Sequence, residues 1–131
     1  MSHFTKIKTV IQDHVILADA LTELHYQFKI GETLPIRGYA GKVATGQVVV
    51  TTGCDYDIGF QRQENQSYDV CADWWGVQKG STIRQEEFLN DVNRTYACLA
   101  IKKQVFEQGY IIEHEAIKAN GEIELVVCER F

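Results

Sequence analysis

The sequence lacks several features that would assign a function at once. No apolar stretch approaches the ~20 residues needed to cross a bilayer, so we predict no membrane insertion. The four cysteines include no Cys-x-x-Cys pair and the four histidines no His-x-x-x-His spacing, so neither a redox motif nor a zinc site is indicated. The glycines around Tyr39 lack the Lys-Ser/Thr ending of a phosphate-binding loop. No cofactor is indicated by these patterns.

An excess of basic residues is also missing. The chain has 18 acidic and 13 basic residues and a net charge of -5, so it would be repelled by a nucleic-acid backbone. Its first residues resemble neither a secretory signal nor a transit peptide, and we expect the protein to act in the compartment where it is made. In such a compartment the four cysteines are expected to be free thiols, mostly buried.

The composition that is present is that of a globular protein. Hydrophobic residues make up 45% and charged residues 24% of the 131 positions. This length suits one core without covalent staples. We therefore predict a single domain over residues 1–131.

The hydrophobic pattern predicts two helices and several strands. Asp13 precedes an apolar repeat at helical spacing that ends near His25, and Thr82 and Gln85 have capping-box spacing before a long helix closed by Gly109. A proline and four glycines indicate an irregular or hairpin connection over 27–46, after a short edge strand at Phe28 and Ile30. The other predicted strands are 2–11, 47–52, 58–62, 68–72, 110–118 and 122–128, with turns at 64–67 and 120–121.

This order of elements defines the fold class that we predict. Strand, helix, strands, helix and strands give an α+β fold in which two helices cover one face of a mostly antiparallel sheet. A decorated ferredoxin-like arrangement is the expected topology.

The first candidate site is the loop from Gly53 to Phe60. Cys54, Asp55 and Asp57 follow a central strand, and His3 could meet them across the sheet as a ligand for a small molecule or a metal. The alternative is structural, because Asp side chains between glycines also cap tight turns.

The second candidate site is the segment Asp73-Trp74-Trp75. Neighbouring side chains of a strand point to opposite faces, so at least one indole is expected to meet a helix, a loop or a partner across the other face. Packing of the pair in the core and exposure on a partner or ligand surface are the two alternatives. This segment is our candidate for binding a protein partner or a second copy of the chain.

Four segments together resemble one protein family. They are 1–9, 56–60, 72–77 and 123–127, and they resemble the conserved hypothetical chloroplast reading frame thirty-five (ycf) family along essentially the whole chain. Members are encoded in cyanobacteria and plastids, and related bacterial proteins form a domain-of-unknown-function family. The resemblance implies a cyanobacterial cytoplasm or a plastid stroma as the location, and it carries no catalytic residues to this chain.

Three functional hypotheses follow. The leading one is a non-enzymatic accessory protein that docks a partner through Trp74 and Trp75 or through an exposed strand edge. The second is a small-molecule- or metal-binding protein with a pocket near the Gly53 to Phe60 loop. The third is redox sensing by two cysteines that the fold brings together.

Overall fold

The computed structural model describes residues 3–129. It contains a five-stranded antiparallel sheet, a separate two-stranded sheet and three α-helices. The α+β class is therefore confirmed. The elements are β1 (Thr5–Lys8), α1 (His14–Glu23), β2 (Gln27–Arg37), β3 (Val43–Thr51), β4 (Asp57–Arg62), β5 (Tyr68–Ala72), α2 (Trp74–Gly80), α3 (Gln85–Glu107), β6 (Tyr110–Ile117) and β7 (Ile123–Glu129), with a 3₁₀ turn at Tyr39–Gly41.

The five-stranded sheet has the order β1-β5-β4-β3-β2. Strands β2 to β5 follow one another as a meander, and β1 joins the far side by pairing with β5, Thr5 opposite Ala72 and Lys8 opposite Asp69. The chain crosses between the two edges through α1, which lies between β1 and β2 in sequence. The ferredoxin-like part of the prediction is not confirmed by this order.

All three helices contribute to one core on one face of the sheet. Phe88 of α3 lies at its centre, with ring centroids 5.2 Å from Tyr26, 6.3 Å from Phe60 and 5.8 Å from Trp74. Alternating residues of β3, β4 and β5 face the helices, as the period of two requires. The completely buried members include Leu17, Leu21, Val48, Val50, Ile58, Phe60 and Val77.

The opposite face of the sheet has a smaller apolar cluster. Ile36 is fully buried there with Val49 and Cys71, and Phe4 and Leu34 pack against it. Gly59 makes this possible, because a Cβ at that position would lie 2.0 Å from Ile36 Cδ1. The end of the β2–β3 hairpin is thus held against β4.

Several predicted boundaries are confirmed. The carboxylate of Asp13 accepts from the main-chain N–H of Val15 and Ile16 at the start of α1, and Gly109 has φ +94 just after α3. The turns at 64–67 and 120–121 connect the predicted hairpins. The expected buried thiols are found at Cys71 and Cys98, whereas Cys54 and Cys128 are partly exposed, and all four are free.

Other boundaries are wrong for identifiable reasons. The first strand covers only Thr5–Lys8 of the predicted 2–11, of which Ser2 lies outside the described residues. The predicted connection after Ile30 is instead the continuation of β2 through Pro35, with a register shift between Ile30 and Leu34. An edge strand tolerates both the proline and the irregularity because only one side of it is paired.

The start of α3 differs from the predicted capping box. Arg84 is the N-cap residue and its side chain makes no capping bond. The side-chain oxygen of Gln78, in α2, instead accepts from Gln85 N at 3.0 Å. The cap comes from the preceding helix, which the sequence analysis did not predict.

Candidate functional site

The loop between β3 and β4 is organised by Thr52. Its hydroxyl donates to the carbonyl of Tyr56, lies 3.1 Å from Cys54 Sγ and accepts from Cys54 N at 3.4 Å. Gly53, at φ +85, turns the chain where a residue with a side chain would be strained. The loop is therefore a compact turn with Cys54 inside it.

Asp57 is buried and is bound by Arg37 of β2. Arg37 Nη2 donates to Oδ1 of Asp57, and Arg37 Nε donates to Oδ2, each at 2.9 Å. The main-chain N–H of Arg37 also donates to Oδ2 at 2.9 Å. The hydrogen bonding of the Arg37 guanidinium to the Asp57 carboxylate is the largest cause that raises the pKa of Arg37. A cation thus already occupies the position that a bound metal would take beside this carboxylate.

The other members of the loop do not converge on Asp57. The Asp55 carboxylate is fully exposed and reaches Arg37 only at 4.0 Å, and the carbonyl of Cys54 accepts from Arg37 at 2.9 Å. Across residues 3–129 no group of three or more His, Cys, Asp or Glu side chains could hold a metal ion. Asp57 also differs from the turn-capping alternative, because its partners come from β2.

His3 lies at a different place from the one we expected. Together with Thr5 and Ile7 it lines a cavity of about 210 Å³ beside Trp74 and Trp75. These three residues alternate along the start of the chain and therefore share one face of the β1 segment. The structure brings His3 to the second candidate site, away from the first.

The two tryptophans open a helix, where we had assumed strand geometry. Asp73 is the N-cap of α2, with its carboxylate oxygen 3.4 Å from Gly76 N. Trp74 is 6% exposed and contacts Phe88, and Trp75 is 47% exposed with Lys79 Nζ 4.7 Å from its ring centroid. One indole therefore lies in the core and the other at the surface, and consecutive positions on a helix produce this division in place of strand alternation.

The two candidate sites are neighbours, because the loop packs on α2. A Cβ at Gly76 would lie 2.1 Å from a ring carbon of Tyr56, and a Cβ at Gly80 would lie 2.8 Å from Cys54 Cβ. Gly76 and Gly80 are four residues apart in α2, so they lie on the same face of the helix. This glycine spacing is the signal by which sequence analysis could have found the contact.

A groove therefore runs between β1 and α2. Strand β1 is an edge of the five-stranded sheet, paired on one side with β5. The inward side chains Thr5 and Ile7 form one wall of the cavity and Trp75 forms part of the other. Lys6 and Lys8 project on the opposite face of the strand, are exposed, and make no ion pair within residues 3–129.

The fold and groove define an α+β protein with an open sheet edge beside an aromatic helix face. A family model described as a protein of unknown function (DUF1257) matches residues 20–126, and the chain belongs to this family. It is 31% identical over 127 residues to the uncharacterized protein ycf35 of Guillardia theta, covering 97% of this chain and 96% of that protein. The predicted resemblance to the ycf35 family is thereby confirmed.

Two further relatives have the same name. The uncharacterized proteins ycf35 of Cyanophora paradoxa and Pyropia yezoensis are each 28% identical over 127 residues, with the same 97% and 96% coverage. No solved structure matches the chain. None of the described helices is long and apolar enough to span a membrane.

Proposed function

We propose that this chain is a non-enzymatic accessory protein that binds an extended segment of a protein partner along the free edge of β1. The observation that supports this most strongly is the half-exposed indole of Trp75 beside a cavity lined by alternate residues of an edge strand. Peptides bind such edges by adding a strand, whose main-chain hydrogen bonds supply affinity while pockets select alternate side chains.

The β1 edge suits this role better than the other edge of the sheet. Strand β2 contains Pro35, which has no N–H to donate, and its pairing with β3 shifts between Ile30 and Leu34. Strand β1 pairs with β5 in continuous register from Thr5 to Lys8. A regular strand presents evenly spaced donors and acceptors on its free side, so it is the better template.

The chemistry of the groove defines the partner segment. Ile7 and Trp75 offer an apolar pocket for one side chain, and Lys6 and Lys8 offer positive charge on the opposite face. An added strand alternates in the same way, so the partner should carry apolar residues on one side and acidic residues on the other. A second copy of β1 is disfavoured, because its lysines would meet these lysines.

The location is part of the same proposal. The relatives named ycf35 come from Guillardia theta, Cyanophora paradoxa and Pyropia yezoensis. We infer a plastid stroma or a cyanobacterial cytoplasm, where Cys71 and Cys98 would remain free thiols. Strand addition requires no catalytic residue.

The test uses a defined peptide. A fluorescein-labelled Glu-Val-Glu-Leu-Glu peptide with blocked ends is titrated with the protein, and binding is followed by fluorescence anisotropy. We expect saturable binding that Trp75→Ala weakens roughly tenfold or more, as for aromatic residues at the centre of an interface. Lys6→Glu should also weaken it, and Lys103→Ala, at an exposed α3 lysine that does not line the groove, should leave it unchanged.

Two control peptides separate strand addition from nonspecific attraction. The charge-reversed Lys-Val-Lys-Leu-Lys peptide should bind much more weakly, and N-methylation of alternate peptide nitrogens should abolish binding by removing ladder donors. Equal affinity for all three peptides, or for Trp75→Ala and the parent protein, would contradict the proposal. Trp74→Ala is unsuitable as a binding test, since Trp74 is part of the core.

A further inference from the structure

A second cavity lies on the helix-covered side of the sheet, at the end away from α2. It has a volume of about 300 Å³ and lies between the first turn of α1, at His14, and the strand ends that contribute Ile30, Val48, Arg62 and Tyr68. This volume is at the lower limit of the range typical of small-molecule sites. None of these residues belongs to the groove between β1 and α2.

Tyr68 is the buried polar residue among those that line this cavity. The residue is 2% exposed, and its main-chain groups are satisfied by Ile11 O at 2.8 Å and by the Thr9 hydroxyl. Its phenol hydroxyl makes no hydrogen bond to any residue in the range 3–129, and its oxygen is not completely enclosed by the protein. Buried polar groups are normally paired, so this hydroxyl is available to a molecule in the cavity.

Arg62 stands beside Tyr68 as its cross-strand partner. Ile58, Phe60 and Arg62 are alternate residues of β4, so all three lie on the helix-facing side of the strand. Arg62 therefore places a positive charge at the end of a row of core residues. The main-chain N–H of Arg62 is held by Gln47 Oε1 at 2.8 Å, but within the described chain its guanidinium has neither a carboxylate nor a hydrogen-bond acceptor. Arg62 is exposed and lines the same cavity as Tyr68, and a planar guanidinium together with a hydroxyl can match the two oxygens of a carboxylate.

The rest of the lining is apolar on one side and acidic at the far end. Val48 is fully buried and Ile30 is 51% exposed, so together they offer an apolar wall. Glu32, whose carbonyl is held by Gln47 Nε2 at 3.0 Å, borders the cavity two strands away from Arg62, roughly 10 Å in backbone spacing. The negative charge of Glu32 directs an anionic group toward Arg62 and away from β2.

We propose that this cavity binds a small organic carboxylate, with its head on Arg62 and Tyr68 and its apolar body against Val48 and Ile30. His14, in the first turn of α1, also lines this cavity. The proposal is independent of peptide binding at β1.

The experiment is an NMR titration of the ¹⁵N-labelled full chain with phenylacetate as the probe. We expect saturable shifts of the amides of Arg62, Tyr68 and Gly31, which also lines the cavity, and much smaller shifts with neutral phenylacetamide. Arg62→Gln should weaken phenylacetate binding roughly 10- to 100-fold, as for the loss of a charged hydrogen bond. Tyr68→Phe, which keeps the buried ring, should weaken it by about threefold to tenfold.

Arg94→Gln is the matched control, because it removes the same charge from an exposed arginine that pairs with Asp91 on α3. It should bind phenylacetate like the parent protein. Equal affinity for phenylacetate and phenylacetamide, or no loss in Arg62→Gln, would overturn the proposal. Binding of inorganic phosphate without binding of phenylacetate would overturn the assignment of a carboxylate head.

Discussion

The five-stranded sheet and the β6–β7 hairpin have a similar pattern of apolar and polar residues, but they differ greatly in how far their residues are buried. Both contain alternating apolar and polar residues, and the hairpin even has the stronger turn signal in Asn120-Gly121. Every residue of β5 is buried, whereas no residue of β6 or β7, between Tyr110 and Glu129, is buried. An alternating pattern thus predicts a strand, but its contribution to stability depends on what covers the strand.

The physical reason lies in α3. This helix has 23 residues, about 35 Å in length, and the buried residues of its first half, Phe88 and Val92, lie over the main sheet. Its second half contacts the hairpin, where the side chains of Cys98 and Lys102 meet Glu115. A two-stranded sheet is at best marginally stable alone, so the hairpin depends on its packing against α3.

The largest difference should follow removal of Phe88. Phe88→Ala leaves a cavity among three aromatic rings and should lower the free energy of unfolding by about 3–5 kcal/mol. Ile111→Ala, at a hairpin side chain that is 43% exposed, should cost about 1 kcal/mol or less. Urea denaturation followed by circular dichroism measures both, and similar losses would mean that the hairpin shares the main core.

A smaller effect is expected where the main sheet is most tightly packed. Gly59→Ala places a methyl group 2.0 Å from Ile36 Cδ1 and should destabilise the protein by about 1–3 kcal/mol. Shortening the neighbour in the double variant Gly59→Ala with Ile36→Val should recover part of that loss. Losses that simply add would show that Ile36 does not lie over Gly59.

The two regions should also differ in the strength of their ion pairs. Asp57→Asn breaks a bidentate pair with Arg37 and should cost about 1.5–2 kcal/mol, at the lower end of the range because the Arg37 side chain is 47% exposed. Glu115→Gln breaks the Lys102 pair of 2.7 Å and should cost about 0.2–1 kcal/mol, since both side chains are partly in solvent. Adding salt should reduce the Glu115 effect more than the Asp57 effect. The reverse order in denaturation midpoints would contradict this comparison.

The smallest expected effect is a loss of stability at alkaline pH. Burial raises the pKa of the Cys71 thiol, and burial is also the main cause that raises the pKa of Cys98. The unfolded chain loses these protons first, above about pH 8.5, while the native thiols stay protonated, so the free energy of unfolding should fall as pH rises through that range. Cys71→Ala should flatten this slope more than Cys98→Ala, because Cys71 is completely buried. Equal slopes in the two variants would show that the thiol near the hairpin is as enclosed as the one in the sheet.

Several features of this protein are determined locally and were predictable from the sequence. Asp13 caps α1, Gly109 ends α3 and Asn120-Gly121 turns the hairpin, because each depends on the conformational preference of a few adjacent residues. The alternation in β3, β4 and β5 likewise reports burial on one or both faces. The α+β class follows from the order of these elements.

The tertiary structure decided which distant residues meet. Arg37 reaches Asp57 only because the β2–β3 hairpin closes over Gly59, and His3 joins Trp75 only because β1 pairs with β5 at the far edge of the sheet. Arg62 and Tyr68 became a candidate site because the first turn of α1 leaves a cavity above them. Such contacts depend on strand order and on the path of the helices. These are properties of the whole packed chain, and no short segment of the sequence determines them.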